Sequence, residues 1–263
     1  MRPYPSCRTW FWAVSCLVLV SGCGQSLDVG SDVLWTSRFE DGTFDEWESV
    51  PFGNASANPQ PLNSIEVSSE FAYQGKFAAK LTTIAPGDNP QGFGASLVRN
   101  GGLPVQAYYS AWYYLPNKET VGSYWVIMKF RTRDDTLAEH ELYDVNLKNL
   151  PNGDMSLRLY DHRVEDVRVG GNLPLTGSDP QIPVGSWFQL EAFYRADPTN
   201  GHLTLWLDGK EILDHQGPTG PTPWVAWDVV SVAELLTPEQ ALLYVDDCAI
   251  SQTRVGPNGL IAK

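Results

Sequence analysis

Residues 187–214 read Trp187-Phe-Gln-Leu-Glu-Ala-Phe-Tyr-Arg195, Ala-Asp-Pro-Thr-Asn-Gly201, His202-Leu-Thr-Leu-Trp-Leu207, Asp208-Gly209, then Lys210-Glu-Ile-Leu-Asp214. Apolar side chains recur at every second position. Phe188, Leu190, Ala192 and Tyr194 fall on one side, opposite Trp187, Gln189, Glu191 and Arg195. Leu203, Leu205 and Leu207 oppose Thr204 and Trp206. A period of two is that of a half-buried strand, not of a helix. Asp-Pro-Thr-Asn-Gly and Asp-Gly are turn sequences, because Asn, Asp and Gly accept the left-handed backbone that tight reversals need. The stretch therefore predicts three consecutive antiparallel strands.

Working outward, the same pattern gives twelve short strands between Val33 and Ser251. They include Tyr108–Leu115, Tyr124–Arg133, Leu142–Leu147 and Met155–His162. The best helical candidate is Ser231–Ala241, which Pro238 interrupts. Many short strands with little helix predict an all-β fold, a two-sheet antiparallel jelly-roll β-sandwich. With 263 residues and no internal linker or repeat, one domain over 33–254 followed by a frayed tail at 255–263 is the economical division.

Hydrophobic residues make up 43% of the chain, which excludes general disorder. Eighteen Lys and Arg against 31 Asp and Glu give a net charge of −13, which argues against nucleic acid as a partner. Residues 1–22 carry Arg2 and Arg8 ahead of an apolar run, Trp10–Val20, the pattern of an export signal. Ser21-Gly22-Cys23 resembles a bacterial lipobox. It implies lipidation of Cys23, a tether over 23–32 and a lipid-anchored place in the cell envelope, at the outer membrane. Without residues 1–22 only Cys23 and Cys248 remain, so a disulfide within the chain is not expected.

Strand parity also sorts candidate functional residues. In Tyr124–Arg133, Tyr124, Val126, Met128 and Phe130 oppose Trp125, Ile127, Lys129, Arg131 and Arg133. In the next strand Tyr143, Val145 and Leu147 oppose His140, Leu142, Asp144, Asn146 and Lys148. Met155, Leu157 and Leu159 oppose Arg158, Tyr160 and His162. If these strands are neighbours, their second faces form one surface bearing Lys129, Arg131, Asn146, Lys148, Arg158, Tyr160, His162, Gln189 and Trp206. Aromatic rings stack on sugar rings, and Arg, Asn and Gln match sugar hydroxyls and carboxylates, so a polysaccharide is the expected partner.

The strand Tyr108-Tyr-Ser-Ala-Trp-Tyr-Tyr-Leu-Pro116, the stretch Gly185-Ser-Trp-Phe-Gln-Leu-Glu191 and the hairpin ending Leu205-Trp-Leu-Asp-Gly-Lys210 resemble concanavalin A-like lectin and glucanase sandwiches. More narrowly, they resemble bacterial polysaccharide lyases of the heparin-lyase-like jelly-roll group. The resemblance implies two functions for the same face. One is to hold a polysaccharide without cleaving it. The alternative is β-elimination at a uronic acid, which needs a carboxylate neutraliser, a base and an acid. Arg131, Arg158, Asn146 or Gln189 would neutralise, His140 or His162 would be the base and Tyr160 the acid. A third reading is a structural envelope lipoprotein without a glycan. Hydrolysis needs paired carboxylates, and Glu139-His-Glu-Leu-Tyr-Asp144 is the nearest string. Parity puts Glu139 and Glu141 on one face and Asp144 on the other. Phe39-Glu-Asp-Gly-Thr-Phe44 resembles the opening strand of sugar-binding sandwiches. It implies a structural calcium ion held by Glu40, by the carbonyl near Gly42 and by Asp246 or Asp247 of the last strand.

Overall fold

The computed structural model describes residues 32–48, 63–84, 93–133, 138–162, 171–237 and 240–258. Cys23 and the tether before Asp32 lie outside the described residues, as does 259–263. Among the described residues fourteen strands form two antiparallel sheets, as expected of a jelly-roll sandwich. One sheet runs in the order β12 (Lys210–Gly217), β11 (Gly201–Leu207), β10 (Trp187–Arg195), β5 (Gln106–Tyr114), β14 (Gln240–Ser251), β3 (Ala78–Ile84), β2 (Ser64–Ser68), with β1 (Val33–Ser37) also paired to β14. The other runs β4 (Phe93–Arg99), β13 (Ala226–Thr237), β6 (Thr120–Arg133), β7 (Glu139–Asn149), β8 (Met155–Asp161), β9 (Gly171–Leu173).

The β10–β12 stretch folds as its alternation dictates. Asp208 and Gly209 both have positive φ, 48° and 77°, the two-residue reversal that suits the twist of paired strands. Its apolar side, Phe188, Leu190, Ala192, Tyr194, Leu203 and Leu205, enters the core. Ring pairs join the sheets, with Phe130 stacked on Tyr194 at 4.7 Å and Tyr109 meeting Trp227 at 5.5 Å. Buried polar links cross between them: Thr83 Oγ1 donates to Ser231 O at 2.7 Å and Tyr113 OH to Ile127 O at 3.4 Å, while Trp125 Nε1, in the same sheet as Ser231, donates to Ser231 Oγ at 3.0 Å. These partners satisfy groups that would otherwise be stranded in an apolar interior.

Two expectations change. The helix candidate at Ser231–Ala241 is instead the end of β13 and the start of β14. Its Val-Ala-Glu-Leu-Leu composition favours a helix locally, but pairing with β6 on one side and β4 on the other overrides that preference. The start of the tail is fastened, because the N–H groups of Val255 and Gly256 donate to Glu191 Oε1 at 2.6 and 3.3 Å. At the start of β13, Trp227 is core, and Trp224 just before it packs under the Arg133 guanidinium at 4.2 Å.

Candidate active site

The outward face of the six-stranded sheet carries a trough made of three adjoining cavities. The central one, of about 610 Å³, is lined by Tyr124, Lys129, Glu141, Asp144, Asn146, Arg158, Tyr160 and His162, among others. It shares Lys129 and Glu141 with a second cavity, which adds Arg131, Glu139 and Asp228. It shares Arg158 with a third, which adds Lys148 and Asp179. The trough thus crosses the strands from β4 to β9.

Two bulges aim these side chains. Val126 pairs with Asn146 and Met128 with Val145, so Ile127 is an extra residue in β6. Phe130 pairs with Tyr143 and Arg131 with Glu141, so Leu142 is an extra residue in β7. Each added residue flips the parity of what precedes it. Trp125, Ile127, Met128 and Phe130 therefore all enter the core, while Tyr124 and Val126 join Lys129 and Arg131 in the trough. Strict alternation across β6 is corrected accordingly. In β7, Leu142 and Tyr143 are both core, and Glu139, Glu141, Asp144 and Asn146 share the outer face. The separation of Glu141 from Asp144 expected from parity is likewise overturned.

His140 is moved away by the same bulge: it faces opposite to Glu139 and Glu141 and lines none of the three cavities. Gln189 and Trp206 belong to the other sheet. Gln189 is fully buried, its Nε2 donating to Ser110 Oγ at 2.8 Å and to Gly256 O at 2.7 Å. Trp206 lies under the Arg254 guanidinium at 4.2 Å. Both had the right strand parity but the wrong sheet, because β10 pairs with β5 and β11 with β10 and β12, and neither pairs with β8.

The trough is charge-paired rather than basic. Arg131 is held by Asp228 through two hydrogen bonds of 2.8 and 3.0 Å and also bonds Glu139. Lys148 pairs with Asp179 at 2.8 Å. Lys129, only 9% exposed, donates to Glu141. Burial pushes the Lys129 pKa down, but Asp144 and Glu141 outweigh it and hold it above the usual lysine value. Burial raises Glu141, and the adjacent Lys129 charge reverses this to a net lowering.

His162 Nε2 lies 2.9 Å from Asp144 Oδ2 and 3.8 Å from Glu141 Oε2. Burial lowers its pKa, but the hydrogen bond and charge of Asp144, with Glu141, leave it above the ordinary histidine value. The Tyr160 and His162 rings meet edge to face at 4.7 Å. Arg158 has no carboxylate partner among the described residues: one nitrogen donates to Ser123 O, its Nε is buried without a partner, and burial lowers its pKa. Asn146 donates to Asp144 O at 3.0 Å, while Asn146 Oδ1 and Asp144 Oδ1 are buried without partners. Sequence reasoning left Glu141, Asp144 and Asp228 out of the site. The bulge at Leu142 that unites Glu141 with Asp144 has no local signature, and Asp228 lies in the first part of β13, where no strand was expected.

The residues expected to hold calcium lie at the other sheet. Glu40 Oε1 accepts the N–H groups of Lys76 and Phe77 at 2.8 and 3.0 Å. Asp246 Oδ2 accepts those of Tyr73 and Gln74 at 2.9 and 3.2 Å, and its Oδ1 accepts that of Asp247 at 2.7 Å. Asp247 pairs with Arg38 at 2.9 Å, and the Gly42 N–H closes a turn onto Phe39 O. These carboxylates accept backbone N–H groups and a guanidinium.

The chain is thus a two-sheet jelly roll with a polar trough across one sheet. The sequence matches the polysaccharide lyase family model over residues 39–223, and the chain belongs to that family. No curated protein matches the sequence. The fold is similar to an endo-β-1,4-glucuronan lyase from the fungus Trichoderma reesei, with a TM-score of 0.64, 12% identity and coverage of 85% of this chain and 97% of that one. It is also similar to the alginate lyase vAL-1 from Chlorella virus, at 0.52 and 11%, covering 84% of this chain and 100% of that one. A carbohydrate esterase from the Shiga toxin-encoding bacteriophage phi24B gives 0.54 and 12%, covering 84% of this chain and 99% of that one. At these identities the likeness is one of fold, on which chemistry varies.

Proposed function

We propose that the chain is a polysaccharide lyase that cleaves a uronic-acid polymer by β-elimination in this trough. The observation that carries the reading is the meeting of Arg158, Asn146, Tyr160 and His162 in one cavity of about 610 Å³. Arg158, which lacks a carboxylate partner among the described residues, neutralises the uronate carboxylate with help from the Asn146 amide. That withdrawal acidifies the proton on C5. Asp144 takes the Nε2–H of His162, which leaves the lone pair on Nδ1 to accept the C5 proton. The C4–O bond breaks as the C4–C5 double bond forms, and Tyr160 protonates the departing oxygen. Stabilising the enolate is the largest contribution expected of such a site. The length of the trough suits cleavage within a polymer. The family match and the lyases of similar fold favour elimination over the reading as a binding protein. On the sequence of residues 1–23 we place the enzyme in the bacterial envelope, anchored through Cys23.

The test is incubation with glucuronan, alginate and a neutral β-glucan. An ultraviolet-absorbing unsaturated uronate is expected from a uronate polymer only, and His162→Ala and Tyr160→Phe should each abolish it. Retention of a glycan without that product by the unaltered protein would return the chain to the binding reading.

A further inference from the structure

We infer that Glu141, Asp144 and His162 form a site for one divalent transition-metal ion, and that this ion switches the proposed lyase off. The inference rests on that reading for its regulatory half only; the metal site stands on geometry.

Three ligand atoms, one from each residue, lie within 4.8 Å of one another. His162 Nε2 is 2.9 Å from Asp144 Oδ2 and 3.8 Å from Glu141 Oε2. Bonds of about 2.0–2.2 Å to zinc separate neighbouring ligands by roughly 3.0–3.5 Å, a range these gaps bracket. Glu141 keeps Lys129 on Oε1, which leaves Oε2 for the ion. An independent observation points to a missing ligand. Asp144 is 6% exposed and Asn146 2%, both line the cavity, and each has an Oδ1 buried without a partner. A buried carboxylate oxygen without a donor is rare unless an ion or water serves it. One imidazole and two carboxylates suit zinc, cobalt or manganese better than calcium, which takes oxygen. The cavity leaves open positions for water.

The consequence for catalysis follows from the tautomer. An ion on Nε2 displaces the proton shared with Asp144, and the neutral ring then carries its proton on Nδ1. The lone pair needed to take the C5 proton is gone, and no net proton is released.

The test is titration of the untagged, metal-stripped full chain with zinc by calorimetry, and with cobalt by its visible absorption. One equivalent per chain is expected, with binding weakened at least tenfold in His162→Ala and in Glu141→Gln. Zinc at saturation should slow elimination at least tenfold, and a chelator should restore it. No binding, or binding indifferent to both substitutions, overturns the site. Binding without inhibition, or with activation, overturns the switch. A chain that binds zinc through these residues yet yields no unsaturated product from any uronate polymer refutes the lyase reading and leaves the metal site standing.

Discussion

Asp246 gives the sharpest prediction of stability against pH. Its side chain is 1% exposed, and burial raises its pKa from 3.8 to about 7, against the N–H groups of Gln74, Asp247 and Tyr73 that pull it down, with the Asp247 charge adding to the rise. The folded protein therefore holds this proton more tightly than the unfolded chain. The contribution is full below about pH 4, falls as pH rises through the interval from about 4 to about 7, and is flat above it. At about 1.4 kcal/mol per pH unit, the loss across that interval is about 4 kcal/mol. For a domain of this size that corresponds to roughly 8–16 °C in Tm. Asp246→Asn removes the titration. It keeps an acceptor for Tyr73 and Gln74 but sets its amide against the Asp247 N–H, a constant penalty of about 1–3 kcal/mol. Chemical denaturation of both proteins from pH 4 to pH 8 is the assay. The variant should be the less stable at pH 4 and the more stable at pH 8. A difference between the two proteins that stays constant over the range would refute the assignment of this buried proton.

Arg158→Ala should lower the elimination rate by about 10²–10³, the usual loss on removing a group that stabilises developing charge, and Arg158→Lys should fall between, since lysine keeps the charge without the planar fork. Product formation on a uronate polymer measures both. Trp206→Ala should leave kcat/KM within about twofold while lowering Tm, because the ring supports Arg254 on the sheet opposite the trough. Gly94→Ala should cost about 1–3 kcal/mol in urea unfolding, because the new Cβ would lie 2.2 Å from Val232 Cγ2 and 2.8 Å from Ser231 O. Val232 lines the central cavity, so activity should fall with it.

The sandwich was legible because most of its strands alternate cleanly and their turns carry Asn, Asp and Gly. The Asp208-Gly209 reversal formed where its chemistry placed it. The trough was half legible. Arg158 and Tyr160 sit on a strand without a bulge and His162 directly follows it, so counting by twos put them on the correct face. Lys129, Arg131 and Asn146 also reached it, because they lie on the far side of the bulges from which the count was made. Glu141 was counted onto the face of Glu139 and away from Asp144, since an extra Leu142 looks like any other leucine. Gln189 and Trp206 failed for a different reason: parity assigns a face within a sheet, but only long-range pairing decides which sheet. The later part of β13 was missed because its helix-forming side chains were read without the neighbours that hold them extended.

The two bulges make strand length a variable of recognition. Removing Ile127 or Leu142 would exchange the side chains offered to the sugar without displacing either strand from its place in the sheet. Insertions and deletions of single residues, more than substitutions, are thus the short route by which this scaffold could trade one glycan for another.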